Sequence, residues 1–237
     1  MAKIAIVITA AGSSNRIGGN IKKEYLSYKN GTVLSNCALA FLNADYKNND
    51  ISIFVITCPK CGIEDCKKAL YSDTSLKSLF TSKGLTPYIV EGGNSRQASV
   101  FNALKCIKEN ANNSDAVLIH DGARPFVSSK VIEDTLDATL KYQAAVPGVI
   151  PIDTQKEVDE NGFIIRHLVR SSLRAVQTPQ GFNFPLLYKA HIGALEIERE
   201  YTDDTEVWGE ILHKEVKLVD GDVNNIKITY PSDLEKL

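Results

Sequence analysis

The chain has 237 residues, 43% hydrophobic and 24% charged, enough for one large α/β domain or two small ones and far from the composition of a disordered chain. Its formal net charge of −2 excludes a global basic field that would draw nucleic acid or a membrane surface, so a phosphate site has to come from locally clustered cations. The opening apolar run is too short for a signal peptide or a membrane span, and five cysteines, an odd number, show no disulfide framework; the cytoplasm is the expected compartment.

Ile4 to Ile8 is a continuous, β-branched run ended by small residues, the pattern of a fully buried strand. Ala10, Ala11, Gly12, Ser13, Ser14 and Asn15 follow, and then Arg16 and Lys23 with Gly18 and Gly19 between them. Small residues let backbone N–H groups approach an anion closely, and consecutive N–H groups form an anion-binding concavity. A strand that empties into such a loop, flanked by cations, suits a polyphosphate; an ordinary surface loop is the alternative. The loop is neither a P-loop nor a dinucleotide fingerprint. No Gly-Lys pair follows Gly12, and Ser14 and Ile17 stand where the fingerprint needs glycine.

Val33 to Leu42 reads as a helix, Ile51 to Thr57 as a second strand and Ile63 to Ala69 as a helix. Cys58 and Cys61, with Cys66 nearby, could form a redox pair or a metal site, but no fourth ligand is spaced to complete a zinc site, and free thiols are the plainer reading. Thr86 to Val90 is a third strand. Gly92-Gly93 and Ser95, a candidate cap, precede a helix over Ala98 to Ile107. Ala116 to Ile119 is a fourth strand, ending in His120-Asp121-Gly122-Ala123-Arg124-Pro125. Ser128 or Ser129 caps a helix to about Tyr142, and Ala144 to Ile150 is a fifth strand. This alternation predicts a parallel sheet with helices on both faces. The loops after strands one, three and four then face one side, where ligands of such sheets bind.

Asp153 to Arg170 breaks the alternation. Asn161-Gly162 lies between two strand-like runs and predicts a hairpin, which lies either on its own domain or on another subunit, because a lone ribbon is barely stable. Leu173 to Gln177 reads as a strand and Phe184 to Ala194 as a helix. Thr202 is read as the cap of a further helix, Val216 to Val219 as a strand, and Pro231 as the first turn of a terminal helix.

In this order the loops resemble the cytidylyltransferases that act on alditol phosphates. The matching pieces are Ala10-Ala11-Gly12 through Arg16 and Lys23, Gly92-Gly93 with Arg96 and Ser99, and His120 to Phe126. They continue with Asp153-Thr154, Arg170, Gln177 to Phe182, Thr202-Asp203-Asp204 and Asn225 to Thr229. The resemblance runs nearly the whole length. Ala10-Ala11-Gly12 in place of Ala-Gly-Gly, and Lys156 where an acid is usual in the ribitol phosphate branch, favour the methylerythritol phosphate branch. Lys22 stands where proline is usual, Glu24 where glutamine is common, and Gln155 where an aliphatic residue is usual. A nicotinamide oxidoreductase or a non-catalytic nucleotide binder is the distant alternative, and the missing glycine fingerprint speaks against it.

The resemblance implies a Rossmann-like nucleotidyltransferase domain over residues 1–237 and a homodimer joined through a β-arm at about 153–171. It also implies CTP and an alditol phosphate as substrates, with Mg²⁺ or another divalent cation. Carried over by position, Arg16 and Lys23 contact the triphosphate, and Arg170 and Lys227 hold the acceptor phosphate. Asp121, Arg124 and Thr202 line the acceptor pocket, with Asp121 also available to a metal. Gly93 and Ser99, with the backbone of Ala10, Ala11 and Gly12, seat the cytidine. Arg96 either joins the site or only braces the loop around Ser99, and His120 is read as a structural partner rather than a base.

Overall fold

The computed structural model describes residues 1–12, 22–197 and 199–236. In chain order the elements are β1 (Lys3–Thr9), β2 (Ser27–Tyr28), β3 (Gly31–Thr32), α1 (Val33–Asn43), β4 (Asp50–Cys58), α2 (Ile63–Leu70), α3 (Ser75–Ser82), β5 (Tyr88–Glu91) and α4 (Arg96–Asn110). They continue with β6 (Ala116–Asp121), α5 (Ser129–Tyr142), β7 (Ala144–Val149), β8 (Lys156–Val158), β9 (Ile164–His167), β10 (Ala175–Val176), β11 (Gln180–Asn183), α6 (Phe184–Ala194), α7 (Asp204–Leu212) and β12 (Lys217–Asp220).

An 8-stranded sheet runs β10-β7-β11-β6-β1-β4-β5, with β12 also paired to β7. The pairs β6-β1, β1-β4, β4-β5 and β7-β12 are parallel, as the alternation of strands and helices predicts. β11 is the exception. It runs antiparallel to both β6 and β7 and fills the place between them. The sequence reading missed it, because Gln180-Gly181-Phe182-Asn183 carries one large apolar side chain and no alternation. The strand expected at Leu173 to Gln177 shrinks to the two residues of β10 at the sheet edge.

β1 lies near the centre and shows why its sequence is apolar throughout. Ile4, Ile6 and Ile8 pack on one face with Leu34, Phe41 and Phe54, beneath α1 and α3. Ala5 and Val7 pack on the other with Val100, Leu104 and Trp208, beneath α4 and α7. Successive side chains of a strand point to opposite faces, so a strand covered on both faces is apolar at every step.

Capping serines and threonines fix several helix starts. Thr32 and Ser35 form a reciprocal capping box on α1, Ser95 accepts from Ala98 N and Ser128 accepts from Val131 N. The expected cap of α7 is corrected: Asp203 accepts from Glu206 N, while the Thr202 hydroxyl donates to the Glu206 carboxylate. α3 was not expected, although Leu76 and Phe80, spaced one turn apart, bury against the core. Pro231 opens a 3-10 turn, Pro231–Lys236, rather than an α-helix.

β8 and β9 form the expected hairpin as a separate two-stranded ribbon. Its turn is organised by Asp159, whose Oδ1 accepts from the backbone N–H of both Asn161 and Phe163. Gly162 supplies the left-handed step at φ +85.

Candidate active site

Parallel pairing sets Thr9, the last residue of β1, opposite Asp121, the last of β6. The Thr9 hydroxyl donates to the His120 carbonyl at 3.3 Å and to Asp121 Oδ1 at 3.4 Å. Gly122 N then bonds the Thr9 carbonyl at 2.9 Å, which ties the two strand ends together. Beside them His120 is fully buried. Its Nε2 faces the Arg124 carbonyl at 3.1 Å, and a carbonyl can only accept, so Nε2 carries the proton. Nδ1 then accepts from the Thr178 hydroxyl at 3.0 Å, and that same hydroxyl takes the Asp121 N–H at 3.1 Å. Both ring nitrogens are thus committed to structure, and burial pulls the imidazole down to about 4.

Asp121 is the centre of a charge cluster. Lys227 Nζ lies 2.8 Å from Oδ2, Arg124 Nε 3.6 Å from Oδ2 and Arg96 Nε 3.8 Å from Oδ1. Burial alone would raise this carboxyl, but the charges of Lys227, Arg96 and Arg124 outweigh it and hold Asp121 well below the usual carboxylate range. The three cations would repel one another in a half-buried cleft, and the carboxylate is what allows them to gather there.

Lys227 reaches the cluster because its segment is anchored on both sides. Asn225, fully buried, donates to the Thr178 carbonyl at 2.9 Å, and its own carbonyl accepts from Arg124 Nη1 at 2.8 Å. Ile228 N bonds the Ala123 carbonyl at 2.8 Å. The Ile228 carbonyl in turn accepts from Lys23 Nζ at 3.0 Å, which brings Lys23 beside the segment that carries Lys227. Lys22 takes another course: its Nζ donates to the Gly12 carbonyl and pairs with Glu24 at 3.5 Å. The two adjacent lysines therefore do separate things.

The small-residue segments meet on the neighbouring side. Ala10 N donates to the Thr57 carbonyl at 3.1 Å, fixing the exit of β1 against β4. A Cβ at Gly92 would lie 2.3 Å from Ala11 Cβ and 2.7 Å from Ser99 Oγ, so only glycine lets these two loops touch. Gly93 N donates to Ser99 Oγ at 3.0 Å. Ala11, Gly92, Gly93 and Ser99 thus form one wall beside the carboxyl ends of β1 and β5.

Lys23, Arg124, Lys227 and Asp121 come together, and Arg96 joins them. Arg170 does not. It lies at the base of the hairpin, where Nη1 donates to the Ile152 carbonyl at 2.8 Å, and no contact among the described residues joins it to Asp121. Thr202 is exposed and bonded to Glu206, two residues from Asp204, which pairs with Arg96 at 2.7 Å. Arg16 and the stretch Ser13 to Ile21 lie outside the described residues. Gln177 and Asn225, which hold the Lys227 segment through Asp222 and Thr178, were quoted as matching pieces without a role. Buried amides bonded only to backbone leave no signature in a sequence. Among the described residues no group of three His, Cys, Asp or Glu side chains is placed to hold a metal, and the five cysteines are free. No helix among the described residues is long and apolar enough to cross a membrane.

Comparison with known proteins bears on this arrangement as a whole. Residues 4–236 match the family model of 2-C-methyl-D-erythritol 4-phosphate cytidylyltransferase. Proteins of that name from Clostridium beijerinckii and Clostridium perfringens are 38% and 39% identical over 231 and 234 residues, covering 98% and 99% of this chain and 95% and 96% of theirs. The crystal structure of the Thermus thermophilus protein of the same name superposes with a TM-score of 0.73 at 31% identity, covering 99% of this chain and 96% of that one. The 4-diphosphocytidyl-2C-methyl-D-erythritol synthase of Anaerococcus prevotii superposes with a TM-score of 0.80 at 27% identity, over 99% and 94%. The chain belongs to the 2-C-methyl-D-erythritol 4-phosphate cytidylyltransferase family.

Proposed function

We propose that the protein transfers the cytidylyl group of CTP to 2-C-methyl-D-erythritol 4-phosphate, giving 4-diphosphocytidyl-2-C-methyl-D-erythritol and pyrophosphate. The observation that carries the reading is the gathering of Arg96, Arg124 and Lys227 about Asp121, with Lys23 bonded to the Ile228 carbonyl next to Lys227, beside a wall of small residues, in a chain of this family.

The acceptor's phosphate oxygen is anionic at neutral pH and needs no activating base. It attacks the α-phosphorus of CTP; one P–O bond forms, the bond to the β-phosphate oxygen breaks, and pyrophosphate carries the charge away. The obstacle is repulsion between two highly charged groups, so positioning and electrostatic stabilisation do the catalysis. Arg16 and Lys23 contact the triphosphate. Lys227 and Arg170 hold the acceptor phosphate, with Asp121, Arg124 and Thr202 around the acceptor's hydroxyls. Gly93, Ser99 and the backbone of Ala10, Ala11 and Gly12 seat the cytidine. Lys227, held 2.8 Å from Asp121, exchanges that partner for the incoming phosphate.

Mg²⁺ fits this cluster as an ion that arrives on the nucleotide. It is commonly held by one or two carboxylates together with substrate phosphates, and Asp121 offers one. When bound it neutralises triphosphate charge. Turnover is expected to stop in excess EDTA and to return with added Mg²⁺; full pyrophosphate release in EDTA would defeat the metal requirement.

A homodimer completes the reading. The arm exposes Phe163, Ile164 and Ile165, and Arg170 lies at its base, away from the Asp121 cluster of its own chain. A two-fold partner covers that apolar surface and receives Arg170 in its acceptor site. The free thiols accord with a reducing, cytoplasmic setting. The deciding experiment offers the purified protein CTP with a panel of alditol phosphates and identifies the CDP product by mass. Preference for ribitol 5-phosphate would shift the acceptor, and no product with any alditol phosphate would sink the proposal.

A further inference from the structure

Behind the Asp121 cluster lies a second carboxylate that the transfer chemistry has not used. Asp204, the first residue of α7, is 1% exposed. Its Oδ2 accepts from Arg96 Nη1 at 2.7 Å, and its Oδ1 faces His191 Nε2 at 3.2 Å. Its own N–H donates to Gln180 Oε1 at 3.3 Å. Residues from α4, α6 and β11 thus converge on one side chain.

A carboxylate can only accept, so His191 presents its proton on Nε2. Among the described residues its buried Nδ1 has no hydrogen-bond partner, and the ring stacks on Phe101 at 6.0 Å. The Asp204 carboxylate is thus held by His191 on one oxygen and paired with the Arg96 guanidinium on the other.

Arg96 is the only group bonded to Asp204 that also faces Asp121, among the described residues. Its Nη1 is spent on Asp204, and its Nε stands 3.8 Å from Asp121 Oδ1, beyond hydrogen-bond distance. A guanidinium free of Asp204 could close on Asp121 with two parallel hydrogen bonds, the strongest arrangement available to the pair. It would then compete with Lys227, which holds Asp121 at 2.8 Å. A carboxylate buried this deeply costs desolvation that a well-packed apolar residue would avoid, so its presence calls for a task beyond packing.

We propose that Asp204, backed by His191, is a positioning residue of the transfer site: it holds the Arg96 guanidinium off Asp121 and so keeps Lys227 in place beside that carboxylate until the acceptor phosphate takes it. This rests on the cytidylyl-transfer reading above. Asp204 touches no reacting atom and acts through Arg96 alone.

A double-mutant cycle of Asp204→Asn and Arg96→Lys tests it, read as kcat/KM for the acceptor per mole of folded protein, with melting temperature measured alongside. Each single variant is expected to lose about tenfold, and the double variant about tenfold as well, because without the Arg96 guanidinium there is nothing left for Asp204 to hold off Asp121. His191→Gln, which leaves the Arg96–Asp204 pair in place, is expected to lose roughly threefold, and to lose nothing further in the Arg96→Lys background. Losses that multiply to about a hundredfold in the double variant would overturn the proposal. So would an Asp204→Asn protein that melts lower yet turns over like the parent. Should Asp204→Asn fail to fold, the His191→Gln and Arg96→Lys cycle decides alone. A parent protein that releases no pyrophosphate from CTP and any alditol phosphate defeats the functional reading instead. The same cycle is then read on CTP binding by calorimetry, where additivity of the two substitutions overturns the proposal and shared loss upholds it.

Discussion

Around Asp121 three cations are pinned to one buried carboxylate, and the segment that brings the last of them is tied down by Asn225, Gln177 and Ile228. Along β8 and β9 the opposite holds. Every residue of both strands is exposed, Ile165 at 61%, as is Phe163 just before β9, at 71%. The arm's own cross-strand contacts are polar and at the surface, Arg166 with Glu157 at 3.5 Å and Lys156 with His167 at 2.8 Å. Surface pairs of this kind contribute about 0–1 kcal/mol each, whereas covering Phe163, Ile164 and Ile165 is worth roughly 1.5–3 kcal/mol per side chain. One region is therefore held by its own chain, and the other leaves its apolar side chains uncovered by that chain.

The largest effect comes from breaking the region held by its own chain. In the proposed reading Lys23→Ala removes a charge that faces the transferring group, and it is expected to cost about a hundredfold in kcat, or on the order of 3 kcal/mol. Lys22→Ala is expected to cost far less, because Lys22 is spent on the Gly12 carbonyl and Glu24. Steady-state rates of the two variants check this, and equal impairment would show that the lysines share the role.

The arm is tested by exchange. In the composite-site reading, Arg170→Ala and Lys23→Ala proteins are each nearly inactive. A mixed dimer carries one site with both defects and one with neither. After full subunit exchange about half the dimers are mixed and half their sites intact, so activity should rise to about a quarter of the parent's. Exchange verified by mass with no recovery would place Arg170 in its own chain's site.

These two regions also differ in how far the sequence reveals them. The Asp121 cluster was legible because its members sit in short ordered motifs at strand ends, and the buried strands because apolar runs report burial directly. The buried amides of Asn225 and Gln177 and the strand β11 were not, since backbone-directed hydrogen bonds and a four-residue strand with one large apolar side chain leave no periodicity. Arg170 is readable from the hairpin pattern as a residue at the arm's base, but its distance from the Asp121 cluster is a matter of tertiary placement that no local pattern encodes. The cap of α7 was misread by one residue, because Thr202 and Asp203 are both capping types and only geometry shows which carboxylate or hydroxyl takes the Glu206 N–H.

A smaller effect separates structure from chemistry within the cluster. His120 is held near 4 in the folded protein by burial, against an ordinary value of 6.5. The unfolded chain then binds more protons between those values, so stability is full above about 6.5 and declines as pH falls toward 4, by on the order of 3 kcal/mol. Asp121 contributes in a separate window, below its ordinary 3.8, because its charged form is the one the fold favours. Replacing His120 with Gln is expected to flatten the slope between pH 6.5 and 4 relative to the parent in urea titrations. An unchanged slope would mean that another group governs this range. Turnover at neutral pH should fall far less than in Lys23→Ala, since no proton is transferred by the imidazole.

The smallest expected effect lies in the arm's turn. Asp159 Oδ1 accepts from both Asn161 N at 3.0 Å and Phe163 N at 2.8 Å, and the Phe163 carbonyl accepts from Asp159 N at 3.0 Å. Asp159→Ala removes the carboxylate and leaves two backbone donors to the solvent, which replaces them because the turn is exposed. The loss is therefore close to that of an ordinary net hydrogen bond, about 1 kcal/mol of arm order. In the proposed dimer a cost confined to the arm weakens association and not the Asp121 cluster; with two arms per dimer, the dissociation constant should rise roughly thirtyfold while kcat at saturating protein stays unchanged. Analytical ultracentrifugation and a rate measured against protein concentration read the two quantities separately. A fall in kcat at concentrations where the variant is fully dimeric would show that the turn shapes the site itself, and that the two regions are less independent than their packing indicates.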